Sequence, residues 1–305
     1  MDQAATLRTM IKGESARIRR ITDGYKGGSY SSGTRPKVIA VTSGKGGVGK
    51  TNVVGNLAIV CQRKGKRVVI FDADLGLANI DIIMGLNPKL NIEHVIKGEK
   101  GLSDIIVRGP EGVAIIPASS GVEELVHLTE GHKLNLLSEF DTLDKMFDML
   151  LIDTGAGISS NVVYFNAAAQ ERIVVVTPEP TSITDAYALM KVMYYQHGVK
   201  NFFLLLNMVK DEKQAKSVFE SLTGVAARFL AGVSIEYVGF IPWDSLLKKA
   251  VGKREPIVCS HPEASSSAHF RDLADCILKR TEDIVVDGNI KFFWKRLMSI
   301  GVEQS

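Results

Sequence analysis

The chain has 305 residues, 45% of them hydrophobic, which is enough for one large core and permits one to three domains. Its 37 basic and 34 acidic residues leave a net charge of +3, so bulk electrostatics do not call for nucleic acid. Cys61, Cys259 and Cys276 are too few and too scattered for a disulfide framework or a paired-cysteine metal clip, and no run has the pattern of a secretory leader or the length of a membrane span. The expectation is a reducing, cytoplasmic setting.

The chain begins with Asp2-Gln3-Ala4-Ala5-Thr6-Leu7-Arg8. Apolar positions Ala4, Leu7, Ile11, Ile18 and Ile21 recur at helical spacing, with Asp2 placed to cap, so residues 1–24 read as one amphipathic helix. Its other faces are basic: residues 1–35 carry seven basic and three acidic side chains. The pattern suits a partner-binding helix and a helix folded back on the body equally. Residues 25–36, rich in glycine, serine and tyrosine, read as a flexible linker.

Val38-Ile39-Ala40-Val41 is an apolar strand, and Ser43-Gly44-Lys45-Gly46-Gly47-Val48-Gly49-Lys50-Thr51 leads from it into an apolar helix. A glycine-rich turn at a helix N-terminus stacks backbone N–H donors where a phosphate is stabilised. The spacing Gly44-x-Gly46-x-x-Gly49 also fits a dinucleotide fingerprint, with Asp72 at about the right distance for a ribose. Lys50-Thr51 decides for a nucleoside triphosphate, because it supplies an ammonium for the β- and γ-phosphates and a hydroxyl for Mg²⁺.

Residues 66–71 form a second strand ending in Asp72-Ala73-Asp74, two carboxylates expected near Mg²⁺ and the γ-phosphate. Residues 113–117 read as a short strand and 125–140 as a helix. His127 and His132 have no ligand partners at metal spacing. Met149-Leu150-Leu151-Ile152 followed by Asp153-Thr154-Gly155-Ala156-Gly157 is a buried strand delivering a carboxylate to Mg²⁺ or its water, the Walker B arrangement. Further strands are read at 172–176, 201–206 and 237–241, with a helix at 183–194. This alternation over residues 37–280 predicts an α/β fold with a doubly wound, mostly parallel sheet. At the end of the chain, Ile290, Phe293, Trp294, Leu297, Met298 and Ile300 fall on one helical face opposite Lys291, Lys295, Arg296 and Ser299. That face suits a bilayer interface or docking on the protein's own body.

Lys45 through Thr51 matches K-G-G-x-G-K-[ST] throughout, and the core so bounded resembles the MinD/ParA ATPases with a deviant Walker A loop. The resemblance implies ATP/ADP and Mg²⁺ as ligands and an ATP-dependent homodimer in which Lys45 reaches the partner's nucleotide. It implies a weak, regulated ATPase in which Lys45, Lys50 and Asp74 serve hydrolysis, Asp74 positioning the attacking water. Thr51, Asp72 and Asp153 serve the metal. The remaining nucleotide contacts fall to Gly44, Gly46, Gly47, Val48 and Gly49, with Asn207 reading adenine or merely capping a strand, and Pro242 packing beside the base.

Asp2, Gln3, Ala4, Leu7 and Arg8 fit the D-Q-A-x-x-L-R segment of the flagellar-number regulators, the FlhG/FleN branch of this family. That resemblance implies stimulation of a signal-recognition-type flagellar GTPase, FlhF, with flagellar C-ring components or a flagellar transcription regulator as further candidate partners. Residues 281–305 would then be a linker and a membrane-targeting helix, placing the protein on the inner face of the cell membrane in the ATP state. A division-site MinD, a DNA-partitioning ParA and a scaffold with structural nucleotide share the core. Ordinary division members lack the N-terminal extension, and a partitioning ATPase does not need the aromatic C-terminal helix. The cysteine pattern opposes an iron–sulfur carrier.

Overall fold

The computed structural model describes residues 36–74, 79–117, 136, 137, 139, 140, 143–283 and 290–300. Asp2, Gln3, Ala4, Leu7, Arg8, the linker, His127 and His132 lie outside the described residues. Among the described residues there are eight strands: β1 (Lys37–Ser43), β2 (Val68–Ala73), β3 (Val107–Arg108), β4 (Ala114–Ile116), β5 (Met149–Ala156), β6 (Glu171–Val176), β7 (Asn201–Val209) and β8 (Ser234–Pro242). They form one sheet in the order β3-β4-β2-β5-β1-β6-β7-β8. Every pairing is parallel except β3 with β4 at the edge. The expected architecture is therefore the observed one.

Among the described residues the helices of eight residues or more are α1 (Lys50–Arg63), α2 (Ser160–Ala168), α3 (Pro180–His197), α4 (Glu212–Phe229), α5 (Ser245–Gly252), α6 (Ser265–Asp283) and α7 (Ile290–Ile300). The central strands are apolar in both phases because both faces of the sheet are covered. Ile39 and Val41 of β1 pack in one core with α1 and α6, while Val38 and Ala40 face a second core with α2 and α7. Farther along that second face, Val174 and Val176 of β6 and Leu204 and Leu206 of β7 pack under α3 and α4. With β1 between β5 and β6, chain connections leave it on opposite sides. A crevice at the carboxyl ends of the strands opens there, where ligands bind in such sheets.

The last helix departs from the bilayer reading. Ile290, Phe293, Trp294 and Leu297 are buried in the core beside Phe71, Phe140 and Phe165. Trp294 stacks on Phe140 with ring centroids 3.8 Å apart and planes 6° from parallel. The Ile290 amide donates to Asp144 Oδ1 at 2.8 Å, anchoring the first turn. Four large apolar side chains leave water here, each worth ~1.5–3 kcal/mol, so the body outcompetes solvent for this face. In this conformation the face is closed to a membrane. The Met298 and Ile300 side chains lie outside what is described. Phe292, which breaks the apolar pattern, is exposed.

Candidate nucleotide site

The glycine-rich loop runs from the carboxyl end of β1 into α1, with Gly47 and Gly49 at φ 79° and 90°, a region that L side chains rarely adopt. Gly44 is required for a different reason. A Cβ there would lie 2.1 Å from the Asp185 carbonyl carbon and 2.4 Å from the Ala186 nitrogen, so the loop rests directly on the α3 backbone. Behind the loop, the Ser43 hydroxyl donates to the Lys45 carbonyl at 2.7 Å.

Lys50 is buried at 7% exposure. Burial lowers its pKa, while the charges of Asp153 and Asp74 oppose that shift. Asp153, 1% exposed, has neither carboxylate oxygen in a well-formed hydrogen bond. Burial raises its pKa to about 7 even though the Thr51 hydroxyl and Lys50 pull it down. A buried, unpaired carboxylate beside a hydroxyl and an ammonium is the donor set of a Mg²⁺–phosphate site. The residues present therefore fit Mg²⁺ and a nucleotide. Asp153 and Thr51 would hold the ion, whose charge would neutralise the phosphates and stabilise the ionised carboxylate. Among the described residues no group of three or more His, Cys, Asp or Glu is placed to hold a metal, so phosphate oxygens and water would complete the shell.

Asp72 sits opposite Asp153 in the β2–β5 register. Burial, reinforced by the neighbouring Asp153 charge, raises its pKa to about 8. Its oxygens accept from the Asp74 and Ile80 amides at 3.3 and 3.4 Å, so it braces the segment leaving β2. Asp74 is half-buried beside Gly155, where a Cβ would stand 3.6 Å from its Oδ1. Across the same crevice the Gly157 amide donates to the Ser43 carbonyl at 2.9 Å, and the Thr154 hydroxyl donates to the Val41 carbonyl at 3.0 Å. The Walker B loop is thus tied to β1.

Two of the expected site residues have partners within the chain. Asn207 is buried, donates from Nδ2 to the Val48 carbonyl at 2.7 Å and accepts the Met208 amide on Oδ1 at 3.0 Å. Its amide holds the phosphate loop to the end of β7, a contact that accords with the strand-end capping role read in the sequence beside adenine recognition. The physical reason is proximity: a Cβ on Gly49 would stand 2.5 Å from Nδ2. Pro242, paired with Val209, ends β8 beside exposed Trp243 and Met208. Lys45 does not project freely either. Its Nζ donates to Glu179 Oε2 at 2.6 Å and to the Thr181 hydroxyl at 2.9 Å. Neither partner was expected from Thr177-Pro178-Glu179-Pro180-Thr181, which reads as a proline stop. The available signal was position, since this turn leaves β6 next to β1 at the same end of the sheet.

A family model described as ParA: NUBPL iron-transfer P-loop NTPase matches residues 35–278. The chain belongs to the ParA/MinD family of P-loop NTPases. Within the family it is 44% identical over 262 residues to the antiactivator FleN of Pseudomonas aeruginosa, covering 86% of this chain and 93% of that protein. It is 37% identical over 266 residues to the flagellum site-determining protein YlxH of Helicobacter pylori, covering 86% and 90%. Among solved structures, MinD in the MinC:MinD complex of Aquifex aeolicus superposes with a TM-score of 0.66 at 25% identity, covering 83% of this chain and 99% of that one. MinD of Pyrococcus horikoshii complexed with Mg-ADP shares the fold with a TM-score of 0.64 at 22% identity, covering 82% and 100%. No helix among the described residues is long and apolar enough to cross a membrane.

Proposed function

We propose that this chain is an ATP-dependent switch regulating flagellar number or placement, in which nucleotide state controls dimerisation and exposure of α7. The supporting relatives are a flagellar antiactivator and a flagellum site-determining protein, each at more than 35% identity over 86% of the chain. In this reading Lys50, Thr51 and Asp153 hold Mg-ATP, and Lys45 leaves Glu179 to reach the nucleotide of a second copy. Asp74 positions the attacking water. The N-terminal segment around Asp2 to Arg8 stimulates a signal-recognition-type flagellar GTPase of the FlhF kind.

The observation that carries the switch is the docked position of α7 on the strand that leads into the site. Phe71 of β2 contacts Trp294, and the next residue is Asp72. The docked state also carries a defect. Trp294 Nε1–H is buried without an acceptor, a cost of ~1–3 kcal/mol that a membrane interface would relieve. Docking is therefore favourable enough to hold the helix and poor enough to lose it. Two helices on an ATP-held dimer would bind a bilayer by avidity, gaining ~100-fold or more over one.

The test combines gel filtration and co-sedimentation with anionic vesicles, in ADP and in ATP, for the full chain and for a chain lacking residues 288–305. ATP-dependent dimers that sediment only with the C-terminal helix are expected. Equal sedimentation in both nucleotides, or sedimentation that survives the deletion, removes the switch.

A further inference from the structure

A second cavity lies at the opposite end of the sheet, at the amino ends of β6 and β7, with a volume of about 380 Å³. It is walled by the ends of α2 and α3 and closed on one side by α7 through Phe292, Phe293 and Arg296. Arg172, His197 and Lys200 also line it. None of these residues belongs to the nucleotide site.

Two of these groups, Arg172 and His197, carry a buried nitrogen without a hydrogen-bond partner. Arg172 is 7% exposed. Its Nη atoms donate to the carbonyls of Asn201 at 3.2 Å, Ala169 at 2.6 Å and Gln170 at 3.2 Å. Its Nε–H is buried without an acceptor, and so is His197 Nε2. Burial and the like charge of Arg296 push Arg172 down to about 10, and the same two causes lower His197. Glu171, whose charge partly offsets the shift of Arg172, is held by Lys37 Nζ through Oε1 at 2.8 Å, while its Oε2 is buried without a hydrogen-bond partner and lies outside the cavity lining. Four positively charged or protonatable side chains, Arg172, His197, Lys200 and Arg296, thus line one cavity, and no carboxylate is among its described lining residues. Buried donors without acceptors are uncommon in native proteins, and a cationic cluster of this kind is relieved by an anion.

We propose that this cavity is a binding site for a phosphate-bearing anion, which bridges Arg172 and His197 on the body to Arg296 on α7. Two guanidinium groups match phosphate oxygens better than a single carboxylate would require. The volume exceeds one phosphate group, and Phe292, Phe293, Ala167 and Ala168 supply an apolar wall for the rest of the ligand. Phosphate chemistry of this kind is offered by a soluble phosphate ester or by the headgroup of an anionic lipid. With either source, the bound anion ties α7 to the β6–β7 edge.

The experiment uses the full chain saturated with Mg-ADP, so that the P-loop is occupied throughout. One arm measures the rise in thermal midpoint with inorganic phosphate against chloride at equal ionic strength. The other measures binding to phosphatidylglycerol vesicles against phosphatidylcholine vesicles. Arg296→Gln and His197→Gln test the site, and Lys295→Gln is the control, being exposed on the same helix and outside the cavity lining. At least a fivefold loss of apparent affinity is expected in both site variants and less than twofold in the control. That contrast with inorganic phosphate identifies a soluble ester as the source, and the same contrast with phosphatidylglycerol alone identifies a headgroup. Equal responses of Arg296→Gln and Lys295→Gln in both arms, or no response of the wild-type chain to either probe, overturn the site. Neither outcome depends on ATP-driven dimerisation, so this proposal can fail while the switch survives.

Discussion

Trp294 stands edge-on to Phe71, with ring centroids 5.0 Å apart and planes at 84°. Phe71 immediately precedes Asp72, and Asp72 accepts the backbone amides of Asp74 and Ile80. A shift of the segment after β2 is therefore one residue away from the aromatic contact that holds α7. The relationship gives a short physical route between phosphate chemistry at one end of the sheet and helix docking on its face.

Phe140→Ala should release α7 without altering the helix itself. Phe140 is fully buried and forms the flat side of the Trp294 stack. Truncating such an aromatic costs ~3–5 kcal/mol, comparable to the docking energy of a few side chains. Vesicle binding by the ADP form should rise at least fivefold toward the ATP value. Vesicle binding that keeps its wild-type nucleotide dependence would separate docking from membrane access.

Lys45→Ala should abolish most turnover and leave stability nearly unchanged. The Lys45–Glu179 pair is 38% and 61% exposed at its two side chains, so it is worth only ~0–1 kcal/mol. The lysine can leave Glu179 at little cost. Denaturant midpoints within ~0.5 kcal/mol of wild type, with hydrolysis reduced more than tenfold, are the expected pair of results. A large stability loss with normal turnover would make the ion pair structural.

Much of this site was legible from local pattern. Lys50, Thr51 and Asp153 converge as their motifs require because each lies at the carboxyl end of a strand or the start of α1, where position along the chain determines position in space. The strand read at 201–206 extends to Val209, and the helix read at 183–194 begins at Pro180 and runs to His197, since tertiary packing prolongs both. Long-range contacts were not legible. The amphipathic face of α7 is the same whether its partner is lipid or protein, and its actual partners, Phe71, Phe140 and Phe165, come from three distant segments. The hydrogen bond from Asn207 to Val48 likewise joins groups 159 residues apart, a separation that no local pattern encodes.

Asp74→Ala should slow hydrolysis more than tenfold while preserving ATP-dependent dimers. Asp74 lies close enough to influence Lys50 electrostatically, yet it is half-buried at the open side of the crevice. Its removal leaves Asp153 and Thr51 to hold the metal. Single-turnover hydrolysis and gel filtration check the two halves. An unchanged rate would take Asp74 out of the reaction.

The metal-free chain should lose stability as pH rises from about 4 to about 8. Burial, reinforced by the Asp153 charge, raises Asp72 to about 8, and burial, reinforced by the Asp74 charge, raises Asp153 to about 7, above the ordinary value of 3.8. A carboxyl raised in the folded state favours folding most while both states keep the proton. The unfolded chain releases it near pH 4, and the folded chain resists until its own higher pKa. Stability from this pair is thus present below pH 4 and lost through the window to about pH 8. Asp72→Asn should flatten the slope and raise stability at pH 8 by on the order of 1–3 kcal/mol. Mg-ADP should oppose the loss by supplying positive charge at the carboxylates. Urea midpoints at pH 5 and pH 8, with and without Mg-ADP, test both statements.

Gly44→Ala and Gly46→Ala should differ sharply although both lie in the same loop. A Cβ at position 44 would meet the Asp185 and Ala186 backbone at 2.1–2.4 Å, and neither the helix backbone nor the loop can rotate aside as a side chain could. Either α3 moves or the loop does, at ~1–3 kcal/mol by overpacking. At position 46 a Cβ meets nothing within 4 Å, and Gly46 is absent from the positive-φ glycines, so stability should change by less than ~0.5 kcal/mol. Because the loop rests on α3 through Gly44, Gly44→Ala should also weaken ATP binding at least tenfold. Equal denaturation midpoints for the two variants would show that this close approach does not constrain the loop in solution.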